Sequence, residues 1–167
     1  ITPVINDGTA DSFDEYRVEF VTPPLNYSDI ELLQRIIRRL KEGGAKAHRS
    51  CGIHIHVDGA NHNPKSLRRL VNFMTSRQDL IYEALEIGDR ESSWCHKLNS
   101  NLLIAMKKDK DITKEKAEEI WYSRANDGYC GDIDHQHYNT TRYHGVNLHS
   151  YFTKGTVEFR LFNSTLH

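Results

Sequence analysis

The residues with the plainest chemical potential are His54 and His56, inside Ser50-Cys51-Gly52-Ile53-His54-Ile55-His56-Val57-Asp58-Gly59. Imidazole binds divalent metals when neutral and oxyanions when protonated. Further candidates recur along the chain: Glu19 in Val18-Glu19-Phe20-Val21, Arg142 and Asn147 within 142–148, and Glu158 and Arg160 within 156–162. Carboxylate and imidazole together hold Mg²⁺ or Mn²⁺, while guanidinium presents a planar fork to phosphate oxygens. Gathered on one surface, such a set suits phosphoryl transfer, where catalysis is mostly positioning and charge neutralisation. Each residue also has a plainer reading. The histidines could decorate a solvated strand, Glu19 could be an ordinary surface carboxylate, and Glu158 with Arg160 could be a surface ion pair worth little.

What decides between these readings is the backbone beneath the side chains. Ile-His-Ile-His-Val-Asp alternates with period two, so a strand would put Ile53, Ile55 and Val57 on one face and His54, His56 and Asp58 on the other. Gly52 and Gly59 bracket it. Residues 16–21 read as a strand stopped by Pro23-Pro24, after a turn signal at Asn6-Asp7-Gly8-Thr9 and an acidic loop. Residues 142–148 and 156–162 read as two more strands, the second with Val157, Phe159 and Leu161 opposite Glu158, Arg160 and Phe162. Between them lie helical stripes. Ile30, Leu33, Ile36, Ile37 and Leu40 keep helical spacing up to Gly43-Gly44, with Ser28 and Glu31 as a capping box. Leu67, Leu70, Val71, Met74, Leu80, Ile81 and Leu85 do the same from Pro64 to about Ile87, and Thr113 caps a third stripe ending at Trp121. Residues 88–101 read as irregular and 122–141 as a loop of functional length.

These elements predict an α+β fold: a curved, largely antiparallel sheet with helices packed on one face. The helices at about 28–42 and 64–87 are expected to cover Ile53, Ile55, Val57, Val157, Phe159 and Leu161. The 167 residues suit one domain, 1–167. With 22 basic and 23 acidic residues there is no electrostatic footprint for nucleic acid. No apolar run reaches the roughly 20 residues of a membrane span. Cys51, Cys95 and Cys130 are scattered without a CxxC, which fits a reducing, cytoplasmic setting. The start at Ile1 and the end just after a strand suggest a fragment of a longer protein.

Five pieces in register resemble a known family: Asp7-Gly8; residues 18–25; residues 50–58; Arg142-Tyr143 with Val146-Asn147-Leu148; and residues 156–166. They look like the amidoligases of the glutamine synthetase and glutamate–cysteine ligase superfamily. The resemblance implies a glutamine synthetase catalytic-domain-like fold and an ATP-dependent carboxylate–amine ligase, with small-molecule or peptide carboxylates and amines as substrates. ATP and Mg²⁺ or Mn²⁺ come with it. By the same resemblance Glu19, His54 and Glu158 are metal ligands, and His56 and Arg160 lie at the nucleotide. Arg160 and, more weakly, Arg142 contact the reacting phosphate, while Cys51, Gly52 and Asn147 sit toward the substrate. The family's opening Gly-x-Glu-x-Glu strand has no counterpart here, which fits a chain truncated at its N-terminus and in its C-terminal part. Two other readings compete. His-x-His before Asp also occurs in metal-dependent hydrolases, where the metal activates water, and a non-catalytic interaction module would need none of this chemistry.

Overall fold

The structure, a computed structural model, describes residues 4–5, 18–127 and 133–167. The turn at 6–9, the acidic loop after it, the strand positions Tyr16 and Arg17, and Cys130 lie outside the described residues. The chain divides into two compact units: Ile1–Gly52 with Asn163–His167, and Ile53–Phe162.

In the first unit, β1 (Val4–Ile5) pairs antiparallel with β2 (Glu19–Phe20), in the register Val4 opposite Phe20 and Ile5 opposite Glu19. Glu19 is exposed. A 3₁₀ turn, Tyr27–Asp29, leads into α1 (Ile30–Glu42). The expected Ser28–Glu31 box is not what starts this helix. The Asp29 carboxylate instead accepts from the Asn26 N–H at 2.7 Å, because the tighter turn comes first and its own donors need partners. The helix ends at Gly43, with Gly44 in the left-handed region (φ 91°). Leu33, Ile36, Ile37 and Leu40 are half-buried along one stripe, and no residue of α1 is fully buried.

The second unit holds the larger core. β3 (Gly52–Asp58) is followed by α2 (Pro64–Ala84), where the Asn63 side chain accepts from the Ser66 N–H and Pro64 occupies the first turn. Its buried stripe is Leu67, Val71, Met74 and Tyr82. After a 3₁₀ turn at Gly88–Ser92 come α3 (Ser100–Lys107), α4 (Lys114–Trp121) and α5 (Arg124–Asp127). Thr113 caps α4 as its sequence predicts, and Ala117, Ile120 and Trp121 point inward. A 3₁₀ turn at Thr140–Tyr143, β4 (Val146–Asn147), α6 (His149–Lys154) and β5 (Thr156–Asn163) complete it. The sheet is antiparallel, in the order β3-β5-β4, with Val146 opposite Phe159 and Asn147 opposite Glu158. The fold is therefore α+β with an antiparallel sheet, as expected.

Three expectations need correcting. The strand expected over 142–148 is only Val146–Asn147, and Arg142 sits in the preceding 3₁₀ turn. Asn139 Oδ1 accepts from both the N–H and the hydroxyl of Thr141, and Trp121 Nε1 donates to that hydroxyl, so local capping outcompetes extension there. Secondly, Glu19 does not share a sheet with the other site residues, since β2 pairs with β1. Thirdly, β3 is an edge strand whose apolar face stays open: Ile53, Ile55 and Val57 are 37%, 43% and 44% exposed. Helices cover β5 instead, burying Val157 and Leu161 and leaving Phe159 half-buried.

Candidate active site

β5 is the middle strand, and both of its faces are covered. Glu158 and Arg160, two apart on one face, are each only 4% exposed. Arg160 Nη1 donates to Glu158 Oε1 at 2.8 Å. The other carboxylate oxygen, Oε2, accepts from Asn147 Nδ2 on the neighbouring β4, and Asn147 Oδ1 accepts in turn from the Ser150 N–H at 3.3 Å. The pairing of Asn147 opposite Glu158 in the ladder sets that contact. A solvated surface pair is thereby excluded; this is a buried, hydrogen-bonded ion pair.

β3 supplies the imidazoles from the other side. His54 Nδ1 lies 3.5 Å from Glu158 Oε1 and 3.4 Å from Arg160 Nη1. His56 Nε2 lies 3.6 Å from the same carboxylate oxygen. His56 Nδ1 is held 2.9 Å from Thr156 Oγ1 and 3.3 Å from Ser150 Oγ, and those two hydroxyls stand 2.9 Å apart. Both rings thus meet one carboxylate, as the period-two spacing predicts.

Electrostatics follow from this packing. Burial and then the Arg160 guanidinium push the His54 imidazole down to about 4, against the pull of Glu158. At neutral pH His54 is uncharged, with Nδ1 facing the guanidinium donor and the proton assigned to Nε2. Burial raises the Glu158 carboxyl, but Arg160 and the two imidazoles outweigh it and the net direction is down. Burial also lowers Arg160 against the same carboxylate, yet a guanidinium keeps its proton in proteins. The pair is ionised.

Arg160 is held from further directions. Its Nε donates to the Trp94 carbonyl at 3.2 Å, and its guanidinium stands 5.7 Å from the Tyr143 ring. Arg142 stacks on the same ring at 5.6 Å. Residues Trp94, Tyr143, Ser150 and Thr156 carry no signal in the sequence pattern, because they act through backbone carbonyls, ring faces and hydroxyl pairs. A shallow cavity of about 520 Å³, lined by Gly88, Asp89, Glu91, Ser92, His96 and Lys97, opens on the same stretch as Trp94 and not at His54 or His56.

The donor set can be tested against a divalent cation. Both Glu158 oxygens already accept hydrogen bonds, and the Arg160 guanidinium stands against both the carboxylate and His54. Among the described residues no group of three or more His, Cys, Asp or Glu side chains gathers to hold a metal ion. Mg²⁺ keeps several waters but still binds through a carboxylate or two, and both oxygens of Glu158 are taken. The cluster as arranged therefore fits an oxyanion approaching Arg160 and the imidazoles, and does not fit a bare metal ion. Glu19 is in the first unit, as are Cys51 and Gly52; Cys51 and Cys95 are free thiols.

A buried carboxylate, two imidazoles and a ring-stacked guanidinium on one α+β sheet define an enzyme-type polar site. Over residues 4–167 the chain matches the family described as "putative amidoligase enzyme". The chain belongs to the amidoligase family, a family of ligases. No curated protein and no solved structure matches it. No helix among the described residues is long and apolar enough to cross a membrane.

Proposed function

We propose that the chain is the catalytic part of an ATP-dependent carboxylate–amine ligase with a glutamine synthetase-like architecture. A substrate carboxylate oxygen attacks the γ-phosphorus of ATP, the bond to the bridging oxygen breaks and ADP leaves. The amine nitrogen then attacks the acyl carbon, loses a proton and expels phosphate, leaving an amide. The observation that supports this reading best is the buried Arg160 beside the imidazoles of His54 and His56, within a chain of the amidoligase family. A guanidinium already oriented in a water-poor setting stabilises charge developing on a transferred phosphoryl group without reorganising. Its Glu158 partner holds one nitrogen of the fork, and His56 is proposed to meet the nucleotide. Arg142, whose guanidinium also lies over the Tyr143 ring, is proposed to meet a further anionic group of phosphate or substrate. Asn147 is proposed for the substrate side.

Mg²⁺ or Mn²⁺ belongs to this reading as the companion of ATP, held by the phosphate oxygens of the nucleotide and by water rather than by the His54–Glu158 cluster. The substrates are carboxylates and amines of small molecules or peptides. The free, scattered Cys51 and Cys95 favour a cytoplasmic setting.

The test uses a panel of carboxylates with Mg·ATP and hydroxylamine, which intercepts an acyl phosphate as a hydroxamate. Hydroxamate formed together with ADP supports the reading. Substrate cleavage without ATP would count against it and favour the metal-dependent hydrolase. That alternative is weakened by the guanidinium beside His54, where a hydrolytic metal would meet like charge.

A further inference from the structure

β5 outruns its neighbour. The ladder with β4 covers Glu158 and Phe159, and the Arg160 N–H still donates to the Gly145 carbonyl at 2.8 Å. Beyond that point the carbonyls of Arg160 and Phe162 have no strand on that side. Buried carbonyls need donors. Arg90, buried in the 3₁₀ turn Gly88–Ser92, supplies both: Nη2 donates to the Arg160 carbonyl at 3.1 Å and Nη1 to the Phe162 carbonyl at 2.9 Å. Its two η nitrogens reach two carbonyls of one strand, in the place of a missing strand.

The other end of the same residue acts on the same target. The Arg90 carbonyl accepts from the N–H groups of Trp94 at 2.9 Å and Cys95 at 3.0 Å, closing the turn. That turn presents the Trp94 carbonyl to Arg160 Nε. The next residues continue the support, with His96 N–H donating to the Tyr143 carbonyl at 2.7 Å and the Gly145 N–H donating to His96 at 2.9 Å. Tyr143 is the ring on which the Arg160 guanidinium rests.

We infer that Arg90 is the positioning residue of the site: its guanidinium fixes the backbone of Arg160, and its carbonyl fixes the turn that orients the Arg160 side chain. It touches no reacting atom. The inference rests on the proposed function only where it speaks of ATP, and the geometry stands apart from it.

Arginine Nε–H resonances report the arrangement directly. Arg160 Nε–H, on a buried side chain and bonded to the Trp94 carbonyl, gives a slowly exchanging signal in a ¹H–¹⁵N spectrum, assigned by its loss in Arg160→Lys. In Arg90→Gln that signal broadens or exchanges about tenfold faster, since the turn opens locally without global unfolding. Arg90→Lys, which keeps the charge and reaches one carbonyl, gives an intermediate rate and serves as the decisive variant if Arg90→Gln does not fold. Val71→Ala, a core truncation in α2, lowers the melting temperature and leaves the signal unchanged. Mg·ATP affinity by calorimetry falls about tenfold in Arg90→Gln, a loss of 1.4 kcal/mol. A signal within twofold of wild type in both Arg90 variants, or equal loss in Val71→Ala, overturns the positioning role. Failure of the wild-type protein to bind ATP would instead overturn the ligase reading and leave the resonances to decide Arg90.

Discussion

Replacing Glu158 by Gln keeps the shape of the site and removes one charge. Arg160 is then left ionised at 4% exposure with only neutral acceptors. The new amide also sets its NH₂ against Asn147 Nδ2, or forces Asn147 to turn and release the Ser150 N–H. Coulomb attraction between unit charges 2.8 Å apart is about 6 kcal/mol at an effective dielectric constant of about 20. Water entry and relaxation recover part of that, and breaking a buried pair from one side typically costs about 3–5 kcal/mol. Urea unfolding at pH 7.5, followed by circular dichroism, measures it. Arg160→Met should cost a similar amount, because it strands the carboxylate. The double variant Glu158→Gln with Arg160→Met removes both charges and should be far more stable than the sum of the single losses, with a coupling of at least about 2 kcal/mol. A loss below about 1 kcal/mol for Glu158→Gln, the range of exposed pairs, would refute the burial argument.

His149, buried with Nδ1 2.6 Å from Tyr122 Oη, is pushed down to about 4 by burial and then by Arg142. Its folded value lies below the unfolded one, so its contribution is present above about pH 6.5 and is lost as pH falls toward 4. Wild type should lose about 2 kcal/mol more than His149→Gln between pH 7.5 and pH 5, and equal losses in denaturant titrations would disprove the assignment. A Cβ at Gly145 would strike Tyr82 Oη and the Leu161 side chain while its carbonyl holds Arg160. Gly145→Ala should therefore cost about 1–3 kcal/mol by overpacking, and a thermal melt unchanged from wild type would refute it. Arg160→Lys keeps the charge and loses the fork, so turnover should fall far more than ATP affinity. Steady-state kinetics beside calorimetry would expose equal losses as the contrary result.

The sequence pattern made some of this visible and hid the rest for physical reasons. Period-two alternation in 53–58 and 156–162 correctly placed His54 with His56 and Glu158 with Arg160 on shared faces, because side-chain direction in a strand is set by the backbone alone. Helical stripes were equally legible where an apolar face is buried, as in α2 and α4. Burial of the pair was not legible. Charged residues are seldom enclosed, and only the ladder partner Asn147 and the ring of Tyr143, distant in sequence, make it possible here. Arg142 was misplaced because a strand-like composition at 142–148 competes with an Asn-capped turn whose strength depends on Trp121, some 20 residues earlier. Arg90 lay in a stretch without periodicity, and its work is done on carbonyls.

The distribution of charge and apolar surface around β3 and β5 has a consequence for the site itself. A sheet built for stability alone would bury Ile53, Ile55 and Val57 and leave Glu158 and Arg160 wet. Here the central strand carries the enclosed charges and the edge strand keeps its apolar side open. A buried pair is weak evidence for stability, because desolvation offsets most of its attraction. Its benefit lies in orientation. Glu158 Oε1, Trp94 O and the Tyr143 ring restrict the Arg160 side chain, while Gly145 and Arg90 hold its backbone N–H and carbonyl. A guanidinium fixed in that way has little freedom left to lose when an anion arrives. That is the condition under which fixed charge stabilises a transition state more than a mobile surface arginine can.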